Sequence, residues 1–236
     1  MNRSEVNEIL RQSSAFIRSF GYAMPPFADW DAERMGRAPQ EAPEIIARRL
    51  GWDVTDFGQG HFAECGLFLF TVRNGDPADL AKGRGMLYAE KIMISRAGQH
   101  APMHRHNIKA EDIINRGGGD LVLELFASTP DGSIDAHVAV TVPCDGVSRT
   151  VPAGGHLRLG LGESVTLVPG VWHAFWGERA DVLIGEVSTV NDDLTDNVFR
   201  DPVPRFSSIV EDETPWRLLV SDYDDLVRAT AGVAGG

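Results

Sequence analysis

Short apolar or alternating segments fill most of the chain after residue 52, and this rhythm limits the folds open to it. Glycine, proline, aspartate and asparagine residues separate the segments at short intervals. Short strands joined by such turns build β-sandwiches and β-barrels. In chain order the segments are GLFLFTVRNG, YAEKIMISRAG, LVLELFAST, HVAVTVPCDG, RTVPAGGHLRLG, ESVTLVPG, HAFWGE and VLIGEVST. The sequence therefore predicts an all-β barrel or sandwich.

The first 50 residues follow a different pattern, with apolar side chains near helical spacing. Ser4 is a candidate helix cap, and the pattern predicts a helix over about residues 5–20, ended by Gly21. A second helix is predicted over about residues 41–50, where Pro43 can occupy the first turn. We expect both helices to pack against the outside of the barrel or against a partner subunit.

Length and composition favour a single domain. The 236 residues are 43% hydrophobic and 24% charged, which is typical of a soluble globular protein. We therefore predict one domain over residues 1–236. It comprises a helical segment over about 1–50, a barrel over about 52–200 and a C-terminal extension over 201–236.

The charge balance excludes some classes of partner. The formal net charge is −12, whereas nucleic-acid binding requires clustered Lys and Arg. No stretch approaches the roughly 18 apolar residues of a membrane span, and the first residues lack the apolar core of a signal peptide. Cys65 and Cys144 leave room for one disulfide, but we expect a reduced, cytoplasmic protein that binds neither nucleic acid nor membrane.

Two histidines and a carboxylate lie close together in GQHAPMHRHNIKAEDIINRGGG, residues 98–119. His104 and His106 are two positions apart, so in an extended strand both rings face the same side, about 7 Å apart. Glu111 follows, and the glycines at 117–119 let the chain reverse or approach another backbone closely. The alternative for an isolated pair is two histidines that face solvent.

A third histidine, His173 in LVPGVWHAFWG, is the candidate fourth ligand. Three imidazoles and one carboxylate suit Mn, Fe, Co, Ni or Zn better than Mg or Ca, which prefer oxygen ligands. His100 and His137 lie in polar surroundings and are predicted to be surface groups. The sequence does not assign His61 or His156.

The first motif resembles that of the cupin family. Gly98, His104, His106, Glu111 and Gly118 follow one another at spacings within the range of that family. The resemblance implies a small antiparallel, jelly-roll-like β-barrel with the metal inside its mouth.

The second cupin motif is only partly present. Pro169 directly precedes Gly170 instead of standing two positions before it, and Gly177 occupies a place where asparagine is usual. His173 nevertheless falls where the family places a metal ligand.

Whole phrases are similar to the D-lyxose isomerase family, sugar ketol-isomerases built on a cupin barrel. They are MPPFADW, GWDVTDFGQG, YAEKIMI, PMHRHNIKAEDIINRGGG, HAFWGE, GEVSTVNDDLTDNVF and DPVPRF, and they span nearly the entire chain. The resemblance implies an enzyme that interconverts D-lyxose and D-xylulose, and also D-mannose and D-fructose. We therefore expect a metal-dependent aldose-ketose isomerase that works through a metal-stabilised enediolate.

The resemblance also implies a metal cofactor. His104, His106, Glu111 and His173 leave two octahedral positions open for two sugar oxygens. Zinc is more often four-coordinate, so manganese is the preferred prediction, with cobalt, iron, nickel and zinc as alternatives.

Lys109 and Glu186 are the predicted catalytic residues, because the reaction needs a base beside the metal. Lys109 lies between two predicted ligands, although a solvated turn lysine is the alternative. Glu186 is an acid within the apolar strand VLIGEVST, where a buried carboxylate needs either a structural partner or a catalytic function.

Asp192, Phe175 and Arg200 are the predicted substrate-binding residues. Asp192 belongs to a polar run that offers acceptors to sugar hydroxyls, but such a run also caps loops. By alternation Phe175 faces inward, while Trp172 and Trp176 pack outside. Arg200 offers donors, and a surface salt bridge is its alternative.

Other functions share the four ligands. A cupin dioxygenase would use iron and molecular oxygen, and a non-catalytic sugar-binding cupin would need no base. A sugar-phosphate isomerase would need a cradle of cations, whereas the segment after Glu186 is acidic. We predict a free sugar as the substrate and a homodimer as the assembly.

Overall fold

The computed structural model describes residues 1–233, with side chains to residue 228. Its strands are β1 (Gly51–Thr55), β2 (Leu67–Arg73), β3 (Tyr88–Ser95), β4 (His100–His106), β5 (Glu111–Ser128), β6 (Ile134–Asp135), β7 (Val140–Cys144), β8 (Val147–Val151), β9 (Gly155–Leu159), β10 (Ser164–Leu167), β11 (Trp172–Thr189) and β12 (Asn197–Phe199). Its helices are α1 (Arg3–Ser19), α2 (Ala32–Gly36), α3 (Ala38–Glu41), α4 (Pro43–Ala47), α5 (Pro77–Leu80) and α6 (Tyr223–Val233). Short 3₁₀ turns span Pro26–Asp29 and Val220–Asp222.

Two long strands, β5 and β11, organise an antiparallel sheet that curls into the predicted cupin barrel. One side of β11 pairs with β3 and β4, and its other side pairs with β5 along most of its length. The path β1-β2-β3-β11-β4-β12 continues from β11 on one side, while β5 adds β9, β10 and β6. The prediction of an all-β fold with added helices is confirmed.

Both long strands continue through positions where the sequence suggests a break. The glycines at 117–119 do not reverse the chain but lie within β5, opposite an irregularity between Glu178 and Val182 of β11. A Cβ atom on Gly118 would overlap the carbonyl oxygen of Asp181, and one on Gly119 would overlap that of Glu178. The glycines are therefore needed for close approach of two backbones.

Apolar side chains pack on both faces of the sheet. The inner face carries a core that includes Leu123, Ile113 and Phe175. On the outer face, Leu10 of α1 lies in a second core with Trp52 of β1. The prediction that the first helix packs against the outside of the barrel is thus confirmed.

The helices differ in detail from their predicted bounds. The helix expected over 5–20 spans Arg3–Ser19, whereas the helix expected over 41–50 is the shorter α4, Pro43–Ala47, with α3 ending just before it at Glu41. Pro43 starts α4, because proline has no N–H for a preceding turn. The backbone of Arg49 is left-handed, with φ at 52°, so the chain leaves the helix before β1 begins.

The C-terminal extension returns to the N-terminal helix. The Arg3 guanidinium, 2% exposed, pairs with Glu211 at 2.6 Å and with Asp222 at 3.0 Å. The Asp212 carboxylate accepts hydrogen bonds from the backbone N–H and the hydroxyl of Ser4 at the start of α1. The extension thus binds α1 against the barrel.

The sequence raised two further questions, whether a helix could span a membrane and whether the two cysteines form a disulfide. Among the helices of the described residues, none combines the length and apolar character needed to cross a membrane. Cys65 and Cys144 are free thiols.

Candidate metal centre

The barrel brings four predicted ligands together from three strands. His104 and His106 lie on one face of β4, and His104 is directly opposite His173 of β11. Glu111 is the first residue of β5, which pairs with β11 on its other side. Strand pairing therefore places side chains that are up to about 70 positions apart in sequence around one point.

The three imidazoles form a compact group. Their ring centroids are 5.3 Å apart for His104 and His106, 4.2 Å for His104 and His173, and 5.7 Å for His106 and His173. One nitrogen from each ring lies within 4.8 Å of the other two, which is close enough for all three to bind a single ion.

Backbone carbonyls orient two of the rings. Nδ1 of His104 lies 2.8 Å from the Pro102 carbonyl oxygen, and Nδ1 of His173 lies 3.1 Å from that of Val171. A carbonyl accepts only, so each Nδ1 carries the proton and each Nε2 keeps a free lone pair. Burial lowers the pKa of His104 well below its ordinary value, and the neighbouring His173 and His106 lower it further. His104 is therefore neutral, as a metal ligand must be.

Glu111 supplies an oxygen to the same point. Its Oε1 lies 3.1 Å from Nε2 of His173 and 3.4 Å from Nε2 of His106, yet it has no hydrogen-bond partner among the described side chains. These approaches are not hydrogen bonds for His173, because its proton is on Nδ1. Buried lone pairs that face one another require a positive charge between them. The donor set therefore fits a divalent cation.

A cavity opens beside this group and carries a row of buried charges. The Lys109 ammonium lies 2.6 Å from Oε2 of Glu111 and 3.1 Å from Oε1 of Glu186. Lys91 follows, with its Nζ 3.5 Å from the same Glu186 oxygen. All four side chains are at most 5% exposed, so each charge is balanced locally.

The row continues to the far wall of the cavity. Lys91 lies 3.5 Å from Oδ1 of Asp193, and Oδ2 of Asp193 lies 3.3 Å from Nη2 of Arg205. The same Nη2 lies 2.8 Å from Oδ2 of Asp53 beneath the wall. Acids and bases thus alternate from the metal centre to Asp53.

Electrostatics fix the charge states of Lys109, Asp193 and Glu111. Burial would lower the pKa of Lys109, but Glu111 and Glu186 raise it above its ordinary value, so Lys109 is an ammonium. Burial would raise the pKa of Asp193, but Lys91 and Arg205 hold it far below its ordinary value. Likewise, burial would raise the pKa of Glu111, but Lys109 and His106 lower it well below the usual range.

Asp196 shapes the loop between the ligands. Its Oδ1 accepts hydrogen bonds from the backbone N–H groups of Asn107 and Ile108, at 3.0 and 2.8 Å, and its Oδ2 accepts one from Lys109 at 2.9 Å. One buried carboxylate therefore holds three consecutive amides in place. This loop directs the Lys109 side chain to the cavity.

The structure brings most of the predicted site residues to this cavity. Phe175 is buried and lines it, whereas Trp172 packs in a separate core and Trp176 lies against His100 and His156. The outward packing of both tryptophans agrees with the alternation argument. His100 and His137 are exposed, as predicted. The two unassigned histidines, His61 and His156, are exposed as well.

Two predicted substrate-binding residues lie outside the cavity. The Asp192 carboxylate accepts hydrogen bonds from the backbone N–H groups of Leu194 and Thr195, so it caps a loop. Arg200 is 54% exposed and pairs with Asp201 on the surface. Asp192 therefore has the capping role that the sequence left as its alternative, and Arg200 forms the surface salt bridge that was its alternative.

Sequence reasoning missed Lys91, Asp193 and Arg205. Lys91 lies within the apolar segment YAEKIMI and directly opposite Glu186 in the sheet. Like Glu186, it is a charged residue in an apolar strand, which needs either a structural partner or a function. Asp193 adjoins Asp192 in a polar run, and no local pattern distinguishes which of the two faces inward. Arg205 comes from the C-terminal extension, whose path no periodicity predicts.

Comparisons with known proteins identify the family to which this chain belongs. A family model described as D-lyxose isomerase matches residues 1–223. The chain is 50% identical to a D-lyxose/D-mannose isomerase of Serratia proteamaculans and 44% identical to one of Escherichia coli O157:H7, each over 94% of this chain and 98% of the relative. An L-ribose isomerase of Acinetobacter sp. DL28, solved in complex with L-ribose, shares the fold with a TM-score of 0.60 at 17% identity. That alignment covers 89% of this chain and 98% of the other.

Proposed function

Because this chain belongs to the D-lyxose isomerase family, we propose that it interconverts D-lyxose with D-xylulose and D-mannose with D-fructose. The observation that carries the proposal is the meeting of a buried ligand set with the Lys109–Glu186 pair, 3.1 Å apart, in one cavity. A metal site alone would serve many functions, whereas an adjacent pair of acid and base is needed to move a proton.

His104, His106, Glu111 and His173 would hold the metal, for which manganese is our proposal. A divalent ion held there would supply a Lewis acid to the sugar's carbonyl and to the neighbouring hydroxyl oxygen. The chain's own contribution is to orient the His104 and His173 imidazoles through the carbonyls of Pro102 and Val171, so that each Nε2 faces the site.

Glu186 and Lys109 have different parts in the proposed reaction. In the aldose-to-ketose direction, one proton leaves C2 and one is added at C1, while a hydroxyl proton passes from O2 to O1. We assign the carbon proton to the Glu186 carboxylate, since Lys109 is an ammonium and cannot act as the base. To the Lys109 ammonium we assign hydrogen bonds donated to the oxygen that gains negative charge.

The charges of the cavity favour a free sugar over a sugar phosphate. Lys109, Lys91 and Arg205 each pair with buried carboxylates, so none is left to balance a phosphate dianion. Phe175 and Phe199 supply apolar surface along the same cavity, which suits the C–H groups of a sugar. A homodimeric assembly and a cytoplasmic location stay predictions for this chain.

A substrate panel tests the proposal. Purified manganese-loaded protein is incubated with D-lyxose, D-mannose, D-xylose and D-fructose 6-phosphate, and the products are followed by NMR in D₂O. We expect D-xylulose and D-fructose from the first two sugars, with deuterium incorporated at the carbons that exchange protons. The absence of ketose from any free sugar would contradict the proposal, and oxygen consumption by the iron-loaded protein would support the dioxygenase alternative.

A further inference from the structure

Arg205 enters the cavity from outside the barrel. It belongs to the C-terminal extension, lines the cavity and has a side chain that is 10% exposed. Nη2 pairs with both Asp53 and Asp193, but Nη1 is buried and has no hydrogen-bond partner among the described residues. A buried guanidinium donor without a partner is costly, so this N–H group is available for a ligand oxygen.

The guanidinium is held in a fixed position. Asp53, 1% exposed, pairs with it from below the wall, and its central carbon lies 4.8 Å from the ring centroid of Phe206. Asp193 fixes it from the side. A donor held on three sides needs little further ordering when it binds a ligand.

In space, only the Lys91 side chain lies between Glu186 and the Asp193–Arg205 pair. Lys91 bridges Glu186 and Asp193 with two contacts of 3.5 Å. A five- or six-carbon sugar whose first two carbons lie beside Glu186 is long enough to reach Asp193 and Arg205. The pair offers both an acceptor and a donor, which together match a hydroxyl group.

We propose that Arg205 and Asp193 bind the hydroxyl groups at the end of the sugar farthest from the reacting carbons. The proposal rests on the proposed function and assigns to the C-terminal extension a part in choosing the sugar. A site built to hydrogen-bond a hydroxyl discriminates strongly against a ligand that lacks it. The specificity of the site then depends on the Arg205 guanidinium, which comes from the C-terminal extension.

The experiment measures binding of D-arabinitol, the reduced form of D-lyxose, which has no carbonyl and cannot isomerise. Calorimetry is performed on manganese-loaded wild-type protein and on the variants Arg205→Lys and Asp193→Asn. Arg205→Lys keeps the positive charge between Asp53 and Asp193 but removes the forked donor, which limits the loss of stability. The controls are Asp192→Asn and Arg200→Lys, the nearby residues of the same types that lie outside the cavity. Metal content and thermal unfolding are measured on every preparation.

We expect Arg205→Lys and Asp193→Asn to bind D-arabinitol about 10- to 100-fold more weakly than the wild-type protein, with metal content unchanged. The two controls should bind it within about 2-fold of the wild-type value. D-Arabinitol that binds Arg205→Lys as tightly as the wild type, or that does not bind the wild type, overturns the inference.

The same preparations separate this inference from the proposed function. If the wild-type protein converts no aldose but binds D-arabinitol in an Arg205-dependent way, the isomerase proposal fails and the sugar subsite stands. If the wild type converts D-lyxose and Arg205→Lys does so with the same kcat/KM, the subsite fails and the isomerase stands.

Discussion

The ammonium of Lys109 lies 3.1 Å from Oε1 of Glu186, although the two residues come from a loop and a strand that are 77 positions apart in sequence. Both side chains are buried, and Glu111 lies on the other side of Lys109. The pair therefore joins the candidate metal centre to the rest of the cavity. Within it, the Lys109 ammonium is the acid and the Glu186 carboxylate is the base.

Replacement of Glu186 by Gln should lower kcat by about 10²- to 10⁴-fold, because it removes a general base while keeping the shape of the side chain. Metal content should be unchanged, since Glu186 is not among the proposed ligands. Steady-state kinetics and elemental analysis check both expectations, with Asp192→Asn as the matched control. A variant that retains wild-type turnover would show that Glu186 is not the base and would favour a binding protein or another base.

Replacement of Asp196 by Asn should weaken manganese binding by about 10- to 100-fold. The amide supplies only one acceptor oxygen, so at least one of the three backbone N–H groups at 107–109 loses its partner or faces another donor. Displacement of this loop shifts His106 and Lys109. Titration of metal into stripped protein measures the effect, and equal affinities in the variant and the wild type would refute it.

Replacement of Gly118 by Ala should destabilise the protein by roughly 3 kcal/mol, since a Cβ atom there overlaps a backbone carbonyl of β11. Gly162→Ala is the matched control, because Gly162 has a similar positive φ of 86° but nothing within 4 Å of the added atom. Urea denaturation gives the free energy of unfolding of each. Equal losses in the two variants would mean that backbone conformation, rather than close approach, explains the glycine run.

Stability of the metal-free protein should depend on pH through His104. Burial, aided by His173 and His106, lowers its pKa in the folded state, whereas the unfolded chain titrates near the ordinary value of about 6.5. The unfolded state thus binds more protons below that pH, so the free energy of unfolding decreases as the pH falls from 7 to 5.5. His104→Gln should reduce this slope by up to about 1.4 kcal/mol per pH unit. An unchanged slope, measured by urea denaturation at both pH values, would contradict the assignment.

Three of the four candidate ligands could be predicted from local sequence, whereas His173 was identified through the resemblance to the second cupin motif. His104, His106 and Glu111 lie within one short segment, and strand alternation decides which way their side chains point. The rhythm of short strands predicted a barrel or a sandwich, and the resemblance to the cupin family decided for the barrel. The continuity of β5 and β11 could not be predicted, because glycines signal a turn and a close approach equally well, and only the neighbouring backbone decides between them.

The far wall of the cavity could not be predicted for a similar reason. Asp192 and Asp193 are adjacent and chemically alike, but one caps a loop and the other pairs with Lys91 and Arg205. That difference depends on where the C-terminal extension places Arg205, which is a long-range property of the fold. Lys91 could have been predicted from the sequence, since a charged residue in an apolar strand requires a partner.

An isomerase assay on protein stripped of metal, with manganese, cobalt, iron, nickel or zinc added back and D-lyxose as the substrate, tests most directly whether the activity depends on this metal centre. We expect little or no D-xylulose from the stripped protein and recovery of turnover with a divalent ion, manganese being the best. A His104→Gln variant should recover far less at the same manganese concentration. Full turnover by the stripped protein, or no turnover with any of the five metals, would contradict the central claim that this cavity is a metal-dependent sugar isomerase site.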